Sequence, residues 1–124
     1  MARTLKLKLQ VFCGEEIAMG PGKAALLAAI AAEGSISAAA RKLGMSYRRA
    51  WLLVDTMNRC WQAPLVATMP GGSARGGAKV TELGRDVLDR YLSLVVAAEQ
   101  ARATSDWAAL HASLRRDPRE GRQA

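Results

Sequence analysis

The sequence predicts a mainly α-helical domain with one small β hairpin. Three observations support this fold class: alanine- and leucine-rich stretches have helical spacing, glycines stand where those stretches end, and two short β-prone runs flank a glycine-rich loop. With 124 residues the chain is long enough for one domain with a single core, and too short for a second domain of ordinary size. Half of its residues are apolar and 23% are charged, which is the balance of a soluble globular protein.

We expect a cytoplasmic protein. No stretch approaches the ~18 consecutive apolar residues of a membrane span. The first residues carry charges without an unbroken apolar run, unlike a signal peptide. Residues 1–103 are expected to form the folded domain with its long helix, and residues 104–124 a short helix and a polar tail.

The first predicted element is a half-buried strand. Apolar residues from Leu5 to Val11 alternate with lysine and glutamine, the period of two expected for a strand, and Gly14 with the two glutamates after it ends the pattern. A helix is predicted over residues 23–33, opened by Pro21 at the first helical position and stopped by Gly34.

Two helices joined by a tight turn are predicted next. Ser35 or Ser37 caps the first helix, which runs to Leu43, and Gly44 then permits the left-handed backbone of the turn. Ser46 caps the second helix, which continues to about residue 62 and stops before the proline at residue 64. Two helices joined by a turn of about three residues that contains glycine form the helix-turn-helix motif.

The second helix of this motif has two distinct faces. The apolar side chains spaced for one buried face are Ala50, Leu53, Val54, Met57 and Trp61. The opposite face holds Arg48, Leu52, Asp55 and Arg59, flanked at its N-terminal end by Tyr47 and Arg49. Because the N-terminal part of this helix meets base edges when such a motif docks on DNA, its outer face is the predicted reading surface.

Positive charge is concentrated in the same region. The whole chain has a net charge of +7, and Asp55 is the only acidic residue between residues 34 and 81. The basic residues of that segment are Arg41, Lys42, Arg48, Arg49, Arg59, Arg75 and Lys79. A segregated basic surface indicates a polyanionic partner, and nucleic acid is the usual one.

A hairpin is predicted after the motif. It consists of β-prone runs at residues 65–69 and 78–81 around a glycine-rich loop. A hairpin in this position is a wing, so the predicted architecture is a winged helix-turn-helix; an ordinary flexible hairpin is the alternative. Arg75 in the loop and Lys79 after it would meet the DNA backbone or the minor groove.

These elements define the predicted DNA-binding residues. The full set is Ser35, Ser37, Ser46, Tyr47, Arg48, Arg49, Arg75 and Lys79. Arg48 and Arg49 are candidates for reading guanine O6 and N7. Ser46 and Tyr47 are placed for phosphate or base contacts, and the serines that open the preceding helix can donate to a phosphate. For the other basic residues of the segment, a solvated face is an equally good interpretation.

A long helix is predicted to begin after Thr81, its candidate N-cap. Its apolar residues cover more than one stripe; one stripe can pack on the domain itself, and the surplus needs a partner helix. The residues predicted to mediate dimerisation are Val87, Leu88, Tyr91, Leu92, Leu94 and Val95. A second, shorter helix is predicted over residues 105–114, and a polar tail from residue 115.

The sequence offers no catalytic or metal-binding set. Cys13 and Cys60 match no ligand spacing and, with His111 as the single histidine, cannot assemble a metal cluster. Buried reduced thiols are favoured over a disulfide bridge. The glycines at residues 71–77 lack the spacing of a phosphate loop. We therefore expect neither enzymatic activity nor a bound cofactor.

A family likeness is carried by three consecutive features. They are GPGKAALLAAIAAEGSISAAARKLGMSYRRAWLLVDTMNR, then PLV with the glycine-rich loop, and then a helix that starts with TELG. In these features the chain resembles the N-terminal DNA-binding domain of ModE-type molybdate-responsive transcription regulators, from about residue 5 to residue 102. A broader likeness to LysR-type regulators covers residues 35–84.

The resemblance implies a homodimer that joins through the long C-terminal helix and reads double-stranded DNA as an operator with two half-sites. Full regulators of the ModE type continue into a molybdate-binding domain of β-barrel character. No strand-rich segment follows the long helix in this sequence. We therefore do not expect this chain itself to bind molybdate.

The first functional hypothesis is a sequence-specific DNA-binding transcription regulator that acts as a homodimer and is linked to molybdenum metabolism through the resemblance. One alternative is an interaction module that forms a heterodimer with a full-length regulator. Another is a LysR-like DNA-binding domain of a different pathway. Operator binding by the purified chain alone would separate the first hypothesis from the interaction module.

Overall fold

A computed structural model of the chain describes residues 2–69 and 77–122. The first half comprises the strands β1 (Val11–Cys13) and β2 (Glu16–Met19) and the helices α1 (Pro21–Glu33), α2 (Ile36–Leu43) and α3 (Tyr47–Cys60). The second half comprises β3 (Val66–Thr68), β4 (Ala78–Val80), α4 (Glu82–Glu99), a 3₁₀ turn (Gln100–Ala103) and α5 (Ser105–Ser113). The strands form two antiparallel hairpins, β1–β2 and β3–β4. The predicted fold class, a mainly α winged helix-turn-helix with a long C-terminal helix, is confirmed.

The helix boundaries follow the local signals of the sequence. Pro21 occupies the first turn of α1, and Gly34 ends it in the left-handed conformation with φ of 76°. Gly44 ends α2 in the same conformation with φ of 69°, which makes the tight turn into α3. Ser35, rather than Ser37, caps α2. None of the helices in the described part of the chain is long and apolar enough to span a membrane.

The core is built around α1, which contacts α2, α3, α4 and β4. Leu26, Leu27 and Ile30 on α1 are completely buried, as are Val54 and Met57 on the inner face of α3. Burying a side chain of this size contributes roughly 1.5–3 kcal/mol. The predicted inner face of α3 is therefore confirmed at its centre.

The N-terminal hairpin corrects the prediction of a strand from Leu5 to Val11. Only Val11–Cys13 are in strand conformation, and they pair with β2, which starts at Glu16, within the stretch expected to end the pattern. A strand requires a backbone partner, and β2, with four residues, is too short to pair with residues 5–10. The Tyr91 hydroxyl instead donates a 2.9 Å hydrogen bond to the Leu9 carbonyl, which attaches this segment to α4.

The wing hairpin is confirmed in its strands. Val66 pairs with Val80, and Thr68 with Ala78. At the loop end of the hairpin the Ala78 amide donates to the Gly34 carbonyl at 2.9 Å, so the wing is joined to the start of α2. The loop that contains Arg75 lies at residues 70–76, outside the described residues.

The start of α4 packs directly on the chain that leads into the wing. Thr81 caps the helix by accepting from the Gly84 amide at 3.0 Å, while its hydroxyl donates to the Pro64 carbonyl at 2.7 Å. A Cβ on Gly84 would overlap the Leu65 carbonyl oxygen and would lie 2.8 Å from Val80 Cγ1. Gly84 is thus required because the helix and this backbone segment are in van der Waals contact.

The two cysteines are free, but the expectation that both are buried is wrong. Cys13 is exposed and Cys60 is half-buried. The alternating pattern placed Cys13 in a half-buried strand, whereas it stands at the tip of the β1–β2 hairpin, where no element covers it. Desolvation is the main cause of a raised pKa for the Cys60 thiol, and interaction with Cys13 adds to it. The two side chains are therefore close in space although 47 positions separate them in sequence.

Candidate nucleic-acid interface

The outer face of α3 is the centre of the candidate interface. Ser46 fixes the start of this helix by accepting from the Arg49 amide at 3.1 Å. Arg48 and Leu52 lie one helical turn apart on the side opposite the buried Val54, and both are exposed. The helix thus presents its N-terminal turns to solvent, as a reading helix must.

Two aromatic side chains stand beside Arg48. Tyr47 and Trp51 form an edge-on pair with ring centroids 6.2 Å apart and an interplanar angle of 81°. Sequence analysis singled out Tyr47 but not Trp51. The four-residue spacing between them was the signal that could have identified Trp51, because it places both side chains on one side of the helix.

Arg48 and Arg49 face different surroundings. Arg49 lines a shallow depression beside the start of α1, together with Lys8 and Lys23. Desolvation lowers the pKa of Lys23; Cys60 and Glu16 oppose this effect, and the Arg49 guanidinium adds to it. Arg49 is therefore directed toward α1, whereas Arg48 lies on the central outer face.

Two other basic residues are already held by carboxylates. Arg59 contacts Asp55 at 2.9 Å and Glu16 at 3.6 Å, and the hydrogen bond that its guanidinium donates to the Asp55 carboxylate is the main cause of its raised pKa. Lys42 lies 3.4 Å from Glu33. These exposed pairs favour the solvated-face interpretation for both residues, although such pairs contribute little to stability.

The hydroxyl groups of Ser35 and Ser46 can still donate a hydrogen bond to an anion. Ser35 and Ser46 each use the oxygen to accept a backbone N–H of the helix that they cap. A hydroxyl that accepts in this way can still donate its own hydrogen. Ser37 is half-buried in the first turn of α2. The capping geometry therefore agrees with phosphate contacts by Ser35 and Ser46.

The wing lies beside the start of α2. Ser35 forms an isolated antiparallel bridge with Gly77, the residue before β4. Lys79, at the centre of β4, is exposed. The described part of the wing and the N-terminus of α2 are thus brought together.

Asn58 joins α3 to the wing, a function that sequence analysis missed. Its side-chain oxygen accepts from the Leu65 and Val66 amides at 2.8 and 3.1 Å, and its nitrogen donates to the Val66 carbonyl at 3.0 Å. The amide satisfies three backbone groups at once. No local pattern marks such a residue, because its partners become neighbours only after the chain turns at residues 61–64.

The residues predicted for dimerisation divide into inward and outward sets. Tyr91, 4% exposed, and Val87 belong to the core of the chain itself. Leu88 and Val95 are half-buried. Leu92 and Leu94 are exposed, Leu92 at 46%, and Val96 next to them is also exposed. Leu88, Leu92 and Val95 border an apolar groove, whose opposite side is formed by α1 and residues 7–9.

A family comparison agrees with this geometry. A model of bacterial regulatory helix-turn-helix proteins of the LysR family matches residues 23–85, which contain most of α1, both helices of the motif, the wing and the start of α4. The chain belongs to this family. The broader likeness expected from the sequence is confirmed.

Individual relatives narrow the type of domain. The chain is 51% identical over 73 residues to the molybdenum-pterin-binding protein MopB of Rhodobacter capsulatus, covering 59% of this chain and 27% of the relative. It is 41% identical over 76 residues to the molybdenum transport protein ModE of Azotobacter vinelandii, covering 61% of this chain and 28% of the relative. It is 36% identical over 88 residues to the DNA-binding transcriptional dual regulator ModE of Escherichia coli K12, covering 71% of this chain and 31% of the relative. The chain thus spans less than a third of the length of these relatives, and its helix-turn-helix domain is of the ModE type.

Proposed function

We propose that the chain is a sequence-specific DNA-binding transcription regulator that acts as a homodimer and is linked to molybdenum metabolism. The observation that carries the proposal is the exposed outer face of the first turns of α3, which includes Arg48, in a helix-turn-helix domain of the ModE type. The link to molybdenum rests on the names of the relatives.

Three groups of contacts to duplex DNA are proposed. Arg48 donates to guanine O6 and N7, since both acceptors lie in the major groove and a guanidinium can bridge them. Arg49, beside Lys23 at the start of α1, contacts the phosphate backbone. Ser35, which bridges Gly77 of the wing, and Lys79, at the centre of β4, contact the backbone on the other side of α3.

The proposed dimer forms through α4. Leu88, Leu92 and Val95 border the apolar groove beside α1, and covering contiguous apolar surface of this kind is favourable. A second copy of α4 has the same side chains and can fill the groove between α1 and α4 in a two-fold symmetric, isologous arrangement.

Salt dependence of DNA binding tests the proposal. Each phosphate neutralised by a lysine or arginine contributes about −0.9 to the slope of log K against log salt. A dimer with a few such contacts per subunit should lose orders of magnitude in affinity between low and physiological salt. Fluorescence anisotropy on a duplex enriched from a random library, with a scrambled duplex as control, measures this slope. Dimer formation without any DNA binding would contradict the proposal and favour the interaction module.

A further inference from the structure

Three exposed apolar side chains stand on either side of Arg48 on α3. They are Tyr47 and Trp51 on one side and Leu52 on the other, and we refer to them as the apolar reading patch. Leu52 is 55% exposed and Trp51 is 37% exposed. None of the three belongs to the hydrophobic core of the described residues, which takes its α3 members from the other face of the helix.

The fold does not require an apolar side chain at position 52. The inner face of α3 already supplies Ala50, Val54 and Met57 to the core, each completely buried. A polar residue at the exposed position 52 would keep the helix equally well, because exposed helix positions are nearly neutral to substitution. Apolar side chains next to Arg48 therefore indicate a partner that is apolar at this point.

The charges around the patch indicate what that partner is. Arg48 lies between Trp51 and Leu52 on the helix surface, one turn from Leu52. The nearest acidic side chain on this face, Asp55, is engaged by Arg59 at 2.9 Å. A partner that places negative charge around an apolar group fits this arrangement, and the major groove of DNA has one such apolar group, the C5 methyl of thymine.

We infer that Leu52 and Trp51 read thymine methyl groups in the major groove, within one or two base pairs of the guanine contacted by Arg48. This inference rests on the proposed function. The spacing follows from geometry, since one helical turn advances about 5.4 Å and one base pair about 3.4 Å. Tyr47 packs edge-on against Trp51 and is a positioning residue that holds the indole against the groove.

Removal of the methyl group alone tests the inference. The probe is a duplex enriched by the wild-type chain from a random library, then synthesised again with deoxyuridine in place of every thymidine. Burial of one methyl group contributes about fourfold in affinity, so the wild type should bind the uracil duplex about fourfold more weakly for each methyl contacted. Leu52→Ala should bind the thymine duplex more weakly and lose about fourfold of this discrimination per half-site. Alanine is the best helix former, so α3 should remain folded.

Lys79→Ala is the matched control. It should lower affinity for both duplexes by the same factor, because a backbone contact does not sense a base methyl. Trp51→Phe, which retains an aromatic ring, should keep part of the discrimination, and melting curves should show that both α3 variants remain folded.

The outcomes separate the inference from the proposed function. Enrichment of a specific duplex with equal affinity for its thymine and uracil forms would overturn the inference and leave the regulator intact. Failure to enrich any duplex at low salt would overturn the proposed function itself. Loss of the dimer in Leu52→Ala would show that a second copy of the chain covers the patch, which also overturns the inference.

Discussion

The α3 side and the α4 side of the molecule expose different kinds of surface. On the α3 side, Asn58 and the capping serines bind backbone groups within the chain, and basic residues dominate the exterior. On the α4 side acidic and basic residues nearly balance, as in the pair of Arg90 with Asp86 at 3.0 Å, and leucine and valine side chains are left exposed.

The difference agrees with the two proposed partners, duplex DNA and a second copy of the chain. A surface that meets DNA needs cations and positioned hydrogen-bond donors, and these can remain solvated before binding. A surface that meets a copy of itself needs apolar area, which is unfavourable while exposed. We therefore expect changes on α4 to act on assembly, and changes on α3 or the wing to act on DNA recognition.

Leu92→Glu should produce the largest effect. A carboxylate at this exposed apolar position would lie unpaired in the proposed dimer, at a cost of about 3–5 kcal/mol, which exceeds a hundredfold in the dimer dissociation constant. Sedimentation equilibrium measures the change. Ser93→Glu, at the exposed neighbouring position, is the control and should leave the dimer intact. A dimer unchanged by Leu92→Glu would place the interface elsewhere.

Arg48→Ala should lower the sequence specificity of DNA binding, whereas Lys79→Ala should lower the affinity for all duplexes. Loss of a bidentate guanine contact should cost about 1–3 kcal/mol per half-site on the preferred duplex and relax the preference at one base position. Lys79→Ala should weaken preferred and scrambled duplexes alike and reduce the salt slope by about one. Titrations of both duplexes at two salt concentrations measure these effects. Equal losses on both duplexes for Arg48→Ala would exclude it as a base-reading residue.

Gly84→Ala should destabilise the fold by about 1–3 kcal/mol, because the added methyl overlaps the Leu65 carbonyl and forces α4 away from the wing. Gly22→Ala is the matched control. Nothing lies within 4 Å of a Cβ at that helical position, so alanine should be neutral or stabilise by up to about 1 kcal/mol. Urea unfolding measures both. A neutral Gly84→Ala would show that α4 can move from this contact without loss.

The smallest expected effect is a slower alkylation of Cys60 in the folded chain than in the unfolded chain. Desolvation raises the pKa of this thiol, so at pH 8 a smaller fraction is thiolate than in the unfolded chain, and iodoacetamide should react more slowly. The difference between the two alkylation rates should become smaller as the pH rises toward the pKa of Cys60 in the folded chain. Peptide-resolved mass spectrometry distinguishes Cys60 from Cys13. Equal rates in the folded and denatured chain would contradict the burial seen here.

Local signals in the sequence were sufficient to predict the helices and the wing. Pro21, the glycines at residues 34 and 44, and the capping Ser46 and Thr81 act within a few residues of their own position, and each defines a boundary as predicted. The outer face of α3 also follows from helical periodicity alone, which is why the sequence places Arg48 on it.

Contacts between residues that are distant in sequence could not be predicted from local signals. The alternating pattern of residues 5–11 predicted a strand, but how far a strand extends depends on its partner, here the short β2. The apolar surplus on α4 predicted a second packing surface without showing that Tyr91 faces inward and Leu92 outward. The contacts of Asn58 and Gly84 join segments that become neighbours only in the folded chain.

Residue 65 is the point at which three elements meet. Asn58 on α3 binds its amide, its carbonyl accepts from the Thr81 amide at 2.9 Å, and Gly84 brings α4 against its backbone. The position of α3 is therefore fixed relative to α4. In the proposed dimer, the angle between the two α4 helices would then set the distance between the two α3 helices. One base pair of extra spacer would rotate a half-site by about 34° around the duplex. Operator spacing would then be selected by the packing of α4, at residues that never touch DNA.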